Sequence, residues 1–111
     1  MQYMLLIYGN DTEWEQRSDE EKNAIYAEYG AISQSPGVTG GAELQPATTA
    51  TTVRVQNGET LTTDGPFPET KEALGGYFLF EAADLDAAID VASRIPAART
   101  GAVEVRPVVE R

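Results

Sequence analysis

Two short apolar segments limit the folds that this chain can adopt. Gln2–Tyr8 (QYMLLIY) and Gly76–Glu81 (GYFLFE) carry hydrophobic side chains at both odd and even positions. Because successive side chains of a strand point to opposite faces, this pattern is typical of strands that are covered on both faces of a sheet. The turn residues that begin at Gly9 end the first segment too early for a helix. The sequence therefore predicts two central, fully covered strands.

Two other segments have the spacing of amphipathic helices. The first begins after Ser18, which forms a capping-box pattern with Glu21, and it ends at the 35–37 (SPG) turn. The second begins after Asp84, its N-cap, and stops at Pro96. The side chains expected on the buried faces are Ile25, Tyr29 and Ile32 in the first helix, and Leu85, Ala88, Ile89, Ala92 and Ile95 in the second.

The remaining strand-like segments complete an α+β pattern. They are Gly40–Leu44, Thr51–Gln56, Glu59–Thr63 and Ala102–Val108, and Asn57-Gly58 between the middle two indicates a type I′ hairpin. With the hairpin set aside, the order strand, helix, strand, strand, helix, strand matches a ferredoxin-like (split βαβ) plan. We expect one domain over residues 1–111, with two helices on one face of the sheet and the hairpin inserted in its middle.

This topology leaves one face of the sheet without a cover. Its first and third core strands, Gln2–Tyr8 and Gly76–Glu81, lie at the centre, and both helices pack on the same face. The apolar side chains of the second face still need to be buried, and no predicted helix is left to bury them. A second copy of the chain is the simplest cover, so we expect a homodimer with sheet-on-sheet packing.

The charge balance excludes several classes of partner. The chain has 8 basic and 18 acidic residues, a formal net charge of −10, which repels phosphate backbones and argues against a nucleic-acid partner.

No apolar run has the length of a membrane span, and Met1–Tyr8 is too short and lacks the basic start of a signal peptide. We therefore expect no membrane association and a cytoplasmic location.

The absence of two residue types limits the chemistry. With no cysteine, there is no disulfide, thiol nucleophile or thiolate metal site. With no histidine, the commonest general base and the commonest metal ligand are missing, which leaves only a hard cation on carboxylates as a metal to consider. Gly75-Gly76 precedes a strand and belongs to no phosphate-binding motif, so close backbone packing explains it better. We predict no cofactor and no metal site.

Four segments carry a resemblance to a known family. These are Thr63–Glu72 (TDGPFPETKE) with Leu74–Tyr77 (LGGY) after it, Asp84–Ala88 (DLDAA), Arg94–Pro96 (RIP), and Val103–Val108 (VEVRPV). In them the chain resembles the YCII-related, DGPF-domain proteins over nearly its whole length. The resemblance implies a ferredoxin-like fold, usually dimeric and related to the dimeric α+β barrel group. It also implies a histidine–aspartate pair in a cleft, of which Asp64 is the counterpart of the aspartate and the histidine is missing, and a link to bacterial sigma-factor regulation.

The DGPF segment supplies the first candidate site residues. Asp64 is predicted either to act as an acid/base group, its pKa raised by an apolar neighbour such as Phe67, or to accept hydrogen bonds in an Asx-type turn. Lys71 could bind an anion and Glu72 could act as an acid/base partner. With Glu69, these two residues could equally form a solvated connector with weak local ion pairs.

Other candidates lie on the predicted strands or just after one of them. Arg106 could bind an anionic ligand bidentately or pair with Glu104 or a neighbouring carboxylate. Tyr77 and Tyr8 could present hydroxyls to the same cavity or be core residues. Trp14, the single tryptophan, is either a lid on a pocket or a surface plug over the first helix.

These residues support two hypotheses about function. In the first, the protein is a dimeric module, without an established reaction, that binds a small polar or anionic metabolite or a regulatory partner. In the second, it is an enzyme that uses Asp64 as acid/base in a cleft between sheet and helices, with Arg106 and Lys71 binding an anionic substrate. The missing histidine favours the first hypothesis, and the charged DGPF segment favours the second.

Overall fold

A computed structural model describes residues 1–64 and 72–111, which form a mixed α+β fold. The predicted strands and the two predicted helices are confirmed, whereas two short helices and a single 3₁₀ turn were not predicted. The strands are β1 (Gln2–Gly9), β2 (Val38–Glu43), β3 (Thr51–Gln56), β4 (Glu59–Asp64), β5 (Ala73–Glu81) and β6 (Ala102–Pro107). The helices are α1 (Asp11–Glu15), α2 (Asp19–Ser33), α3 (Leu85–Arg94) and α4 (Ala97–Thr100), and the 3₁₀ turn is Ala47–Thr49.

Four of the strands form one antiparallel sheet in the order β2-β5-β1-β6. The two fully apolar strands, β5 and β1, are its central pair, which confirms their predicted position. In their register Leu5 lies opposite Phe78, and on the other side of β1 it lies opposite Val105. Leu5 is completely buried, so the central strand provides the middle of the core.

The core lies on the face of the sheet that α2 and α3 cover. It contains alternate residues of β1 and β5 and one face of each helix: Tyr3, Leu5, Ile32, Phe78, Phe80, Ala82, Ala88, Val91, Ala92 and Ile95. Capping fixes where both helices begin, since the Ser18 hydroxyl accepts from the Glu21 N–H at 3.1 Å and the Asp84 carboxylate accepts from the Ala87 N–H at 2.9 Å. Both predicted N-caps are therefore confirmed.

The predicted buried face of α3 was wrong in two members. Leu85 and Ile89 are each 48% exposed, and Val91, which was not predicted, is buried instead. At about 100° per residue, the buried stripe is centred near Ala88, so Leu85 and Ile89 lie about 70° and 110° from its centre. Apolar side chains on the flank of a stripe stay partly in water.

The opposite face of the sheet is also apolar. Met4 and Leu6 alternate with the buried residues of β1, and in the register they lie opposite Leu79 and Tyr77 of β5. These four side chains are only partly buried. We call them the open sheet face.

The β3–β4 hairpin forms a separate two-stranded sheet. Asn57 and Gly58 have φ of 51° and 77°, which confirms the predicted turn with two left-handed residues. Every residue of β4 is exposed, as are Val53 and Val55 of β3. The hairpin therefore stands apart from the core.

A helix that spans a membrane must be long and apolar. Among residues 1–64 and 72–111, no helix combines the length and the hydrophobicity needed to cross a bilayer.

The two glycines of β5 allow a direct test of strand packing. A Cβ on Gly76 would lie 2.8 Å from the Ala42 carbonyl oxygen, whereas one on Gly75 would meet nothing closer than the Ile7 carbonyl oxygen at 3.9 Å. We expect Gly76→Ala to lower the free energy of unfolding by about 1–3 kcal/mol, because backbone of β2 must move away. Gly75→Ala is the matched control and should stay within about 0.5 kcal/mol of the parent in urea unfolding. Equal effects of the two substitutions would contradict the packing argument.

Candidate functional site

A cleft of about 780 Å³ opens between the first half of α2 and the sheet. The sheet contributes Ile7 and Phe78 together with the glycines 75 and 76, and α2 contributes Ile25 and Tyr29. It exists because α2 is anchored to the core through Ile32, near its C-terminus, while β5 presents two glycines, Gly75 and Gly76, to the cleft. The hydrophobic contact and the small residues together leave a space the size of a metabolite pocket.

Aromatic side chains form one wall of the cleft. Trp14 of α1 meets Tyr26 of α2 edge to face, with ring centroids 5.3 Å apart and planes at 80°. Deeper in, Tyr29 stacks on Phe78 with centroids 6.3 Å apart. Trp14 thus satisfies both predicted roles, because it packs on α2 and also lines the cleft.

Helix α1 holds Trp14 in this position. Asn10 is its N-cap, and the Asn10 side-chain oxygen accepts from the Glu13 N–H at 3.1 Å. The carboxylate of Asp11, the first residue of α1, accepts from the Ala47 N–H at 2.9 Å and so ties α1 to the 3₁₀ turn. The sequence does not predict this helix, because its five residues are too few to show a helical period.

Charged groups surround the aromatic wall. The Tyr26 hydroxyl donates to the Glu43 carboxylate at 3.1 Å, which links α2 to the end of β2. Arg17 lies 3.9 Å from the carboxylate of Glu21. On α4, Arg99 also lines the cleft, and its guanidinium lies 2.9 Å from the carboxylate of Glu28 on α2.

Two tyrosines of the cleft hold their protons more tightly than usual. Burial raises the pKa of Tyr29, and the backbone of Ala97 opposes this only in part. Burial also raises the pKa of Tyr26, and the hydrogen bond to Glu43 adds to the shift. Both side chains are therefore neutral hydrogen-bond donors near neutral pH, and neither is a general base there.

The structure brings three of the candidate residues named from the sequence, Tyr8, Trp14 and Tyr77, to the cleft. Tyr77 lines it although its side chain belongs to the open sheet face, and the described lining includes none of Asp64, Glu72 and Arg106. Asp64 is exposed at the end of β4, and Glu72 is exposed just before β5. Lys71 lies outside the described residues, as do Phe67 and Glu69.

Arg106 takes part in a separate polar group beside the open sheet face. Its guanidinium donates to the Glu104 carboxylate at 2.6 Å, which corresponds to the intrachain pair predicted as one alternative. The Tyr8 hydroxyl donates to the same carboxylate at 3.3 Å. Burial and the charge of Glu104 raise the pKa of Tyr8, so the phenol stays a donor.

Several residues of the cleft were missed. Tyr26 follows Ile25 directly, off the expected buried face, and it acquires a role only because α2 stands away from the sheet at this point. Glu43 was predicted only as part of the strand-like segment Gly40–Leu44. Arg99 lies in a four-residue helix after Pro96, where the helical pattern had already ended. None of these carries a local signal, since each depends on which element is its neighbour.

Carboxylates, the ligands that hard cations prefer, are frequent in this chain. In residues 1–64 and 72–111, no group of three or more is arranged to hold a metal ion.

Comparison with known proteins gives one family. A family model described as "YCII-related domain" matches residues 1–111. A curated relative from Rhizobium meliloti (strain 1021), described as an uncharacterized protein, is 38% identical over 114 aligned positions that cover 97% of this chain and 92% of the relative.

The raised pKa of Tyr29 predicts a pH dependence of stability. The folded protein keeps this proton above pH 10.0, the usual tyrosine pKa, at which the unfolded chain begins to lose it. The contribution of protonated Tyr29 to the free energy of unfolding is therefore complete below pH 10.0, and it is lost as pH rises through the higher pKa of the folded state. Since phenylalanine cannot ionise, Tyr29→Phe should show a shallower loss of unfolding free energy above that pH in urea titrations. A decline parallel to the parent's would contradict this, and a comparison near pH 7 separates the effect of the lost hydroxyl bond.

Proposed function

This chain belongs to the family of YCII-related domain proteins, and we propose that it is a small-molecule-binding module whose ligand occupies the cleft between α2 and the sheet. The observation that carries the proposal is the cleft itself. Its volume of about 780 Å³ lies within the range of known metabolite pockets, and its lining combines apolar surface with a few polar groups. The ligand is a small polar organic molecule with an apolar part.

The arrangement supports binding better than acid/base catalysis. A general base must reach its proton within hydrogen-bond distance, and the exposed Asp64 is absent from the described lining of the cleft. Tyr26 and Tyr29 keep their protons at neutral pH, so they orient a ligand rather than accept a proton from it. The alternative of an enzyme that uses Asp64, with Arg106 and Lys71 as anion binders, therefore has less support.

We also propose that the α+β fold is ferredoxin-like. The four-stranded sheet has the order second, third, first, fourth strand once the hairpin is set aside, with its neighbouring strands antiparallel. The helices α2 and α3 both contribute to the core on one face. These features support a single ferredoxin-like domain over residues 1–111, as the split βαβ plan requires.

A homodimer is the second part of the proposal. The molecule is 18 Å thick along its shortest axis, which corresponds to one sheet and one layer of helices. The open sheet face, with Met4, Leu6, Tyr77 and Leu79, is apolar and only partly buried. Apolar faces of this kind are stabilised by sheet-on-sheet packing, and a two-fold axis would bring two copies of the same face together.

Ligand screening tests the binding function. We expect at least one compound of a metabolite library to raise the melting temperature of the parent, since a ligand at about 100 times its dissociation constant adds about 2.7 kcal/mol of stability. Tyr26→Ala removes part of the aromatic wall and should abolish this shift while the unliganded variant stays folded. Asp64→Asn should keep the shift.

The two variants separate the alternatives. A shift that is lost in Asp64→Asn and kept in Tyr26→Ala would move the site to the DGPF segment and favour the enzyme. A complete absence of hits would contradict the binding function of the cleft.

A charge on the open sheet face tests the dimer. We expect the parent to sediment as a dimer at micromolar concentration, and Leu6→Asp to sediment as a monomer, because an unpaired buried charge costs about 3–5 kcal/mol. Val55→Asp, on the exposed hairpin, is the control and should remain dimeric. A monomeric parent would contradict the proposal, and dissociation of the Val55 variant alone would place the interface on the hairpin.

A further inference from the structure

The cleft carries more negative than positive side chains among its described residues. Four carboxylates line it, and two arginines do. The carboxylates are Asp11, Glu13, Glu21 and Glu43, and the arginines are Arg17 and Arg99. A cleft with an excess of charges of one sign raises the local concentration of ligands of the opposite sign.

The hydrogen bonds increase this imbalance. Arg99 pairs with Glu28 at 2.9 Å, and Arg17 lies 3.9 Å from Glu21, so both positive charges have carboxylate partners. In contrast, the bond to Glu43 comes from a neutral donor, the Tyr26 hydroxyl. Asp11 likewise accepts from a backbone amide. The negative charge of these two carboxylates is therefore not balanced by the groups that bond them.

The aromatic wall is suited to a positive charge as well. The Lys22 ammonium lies 5.8 Å from the centre of the Trp14 ring, so this wall already attracts a cation that belongs to the chain itself. Aromatic faces attract ammonium groups through their quadrupole, with tryptophan the strongest. The Tyr26 ring, which contacts Trp14, lies directly beside the Glu43 carboxylate.

We propose that the ligand of the cleft is an organic cation, a primary amine or quaternary ammonium that carries an apolar group. Its charge lies beside Glu43 and Tyr26, and its apolar part lies against Ile7, Ile25 and the glycines of β5. This inference rests on the proposed binding function and replaces the anionic ligand expected from the sequence. That expectation depended on Arg106, which pairs with Glu104 away from the described lining of the cleft, and on Lys71.

Three probes of similar size and different charge test the inference. The probes are benzylammonium, benzyl alcohol and benzoate, and the readout is the fluorescence of Trp14, the single tryptophan of the chain and a residue of the cleft. We expect the cation to bind about tenfold or more tightly than the neutral alcohol, and benzoate to bind most weakly. Raising the salt concentration should weaken the binding of the cation more than that of the neutral alcohol, because salt screens the attraction between charges.

A pair of isosteric variants separates the cleft from the overall charge. Glu43→Gln and Glu59→Gln each remove one negative charge, but Glu59 lies on the exposed hairpin. We expect about tenfold weaker binding of the cation to the Glu43 variant and unchanged binding to the Glu59 variant. Melting curves of both variants are the check that they remain folded.

Each other outcome overturns the inference. Equal binding of the three probes, or tightest binding of benzoate, contradicts a cationic ligand and leaves the binding function in place. Equal weakening in the two glutamine variants attributes the attraction to the net charge of −10 rather than to the cleft. If no probe changes the fluorescence while a library compound still depends on Tyr26, the inference fails and the proposed function stands.

Discussion

The burial of the central strands beneath the far half of α2 is the contact on which the rest of the structure depends. Leu5 and Phe78 lie opposite each other in the middle of the sheet, and Ile32 closes over the core from α2. Because this anchor lies near the C-terminal end of the helix, the first half of α2 is free to stand away from the sheet. Glycines at the facing positions of β5 keep the space open, so the cleft follows from where the hydrophobic contact stops.

Most of the fold could be predicted because its signals are local. The apolar runs of β1 and β5, the caps Ser18 and Asp84, and the Asn57-Gly58 turn each lie within a few residues of sequence, and the structure confirms all of them. The failures also have physical reasons. Helices α1 and α4 have five and four residues, too few for a period to show, and the stripe of α3 was assigned by hydrophobicity alone, which does not locate its centre.

The candidate site was far less predictable than the fold. The most distinctive residues of the sequence lie in the DGPF segment, yet Asp64 is exposed and the aromatic wall of the cleft comes from α1 and α2. Trp14 could be recognised as a candidate because it is unique in the chain. Glu43 and Tyr26 could not, because their bond joins a strand end to a helix across 17 positions of sequence. Function here depends on side chains that only tertiary packing brings together.

Because the β3–β4 hairpin is separate from the main sheet, we expect the two parts of the molecule to unfold separately. A two-stranded ribbon with exposed faces is only marginally stable without packing, so its cross-strand hydrogen bonds can open while the four-stranded sheet stays folded. The amide hydrogens of Arg54 and Gln56, which lie in hydrogen-bonded pairs of the ribbon, would then exchange with solvent long before that of Leu5, which opens only with the whole core. Substitutions in the ribbon are accordingly expected to change the free energy of global unfolding much less than substitutions around Leu5.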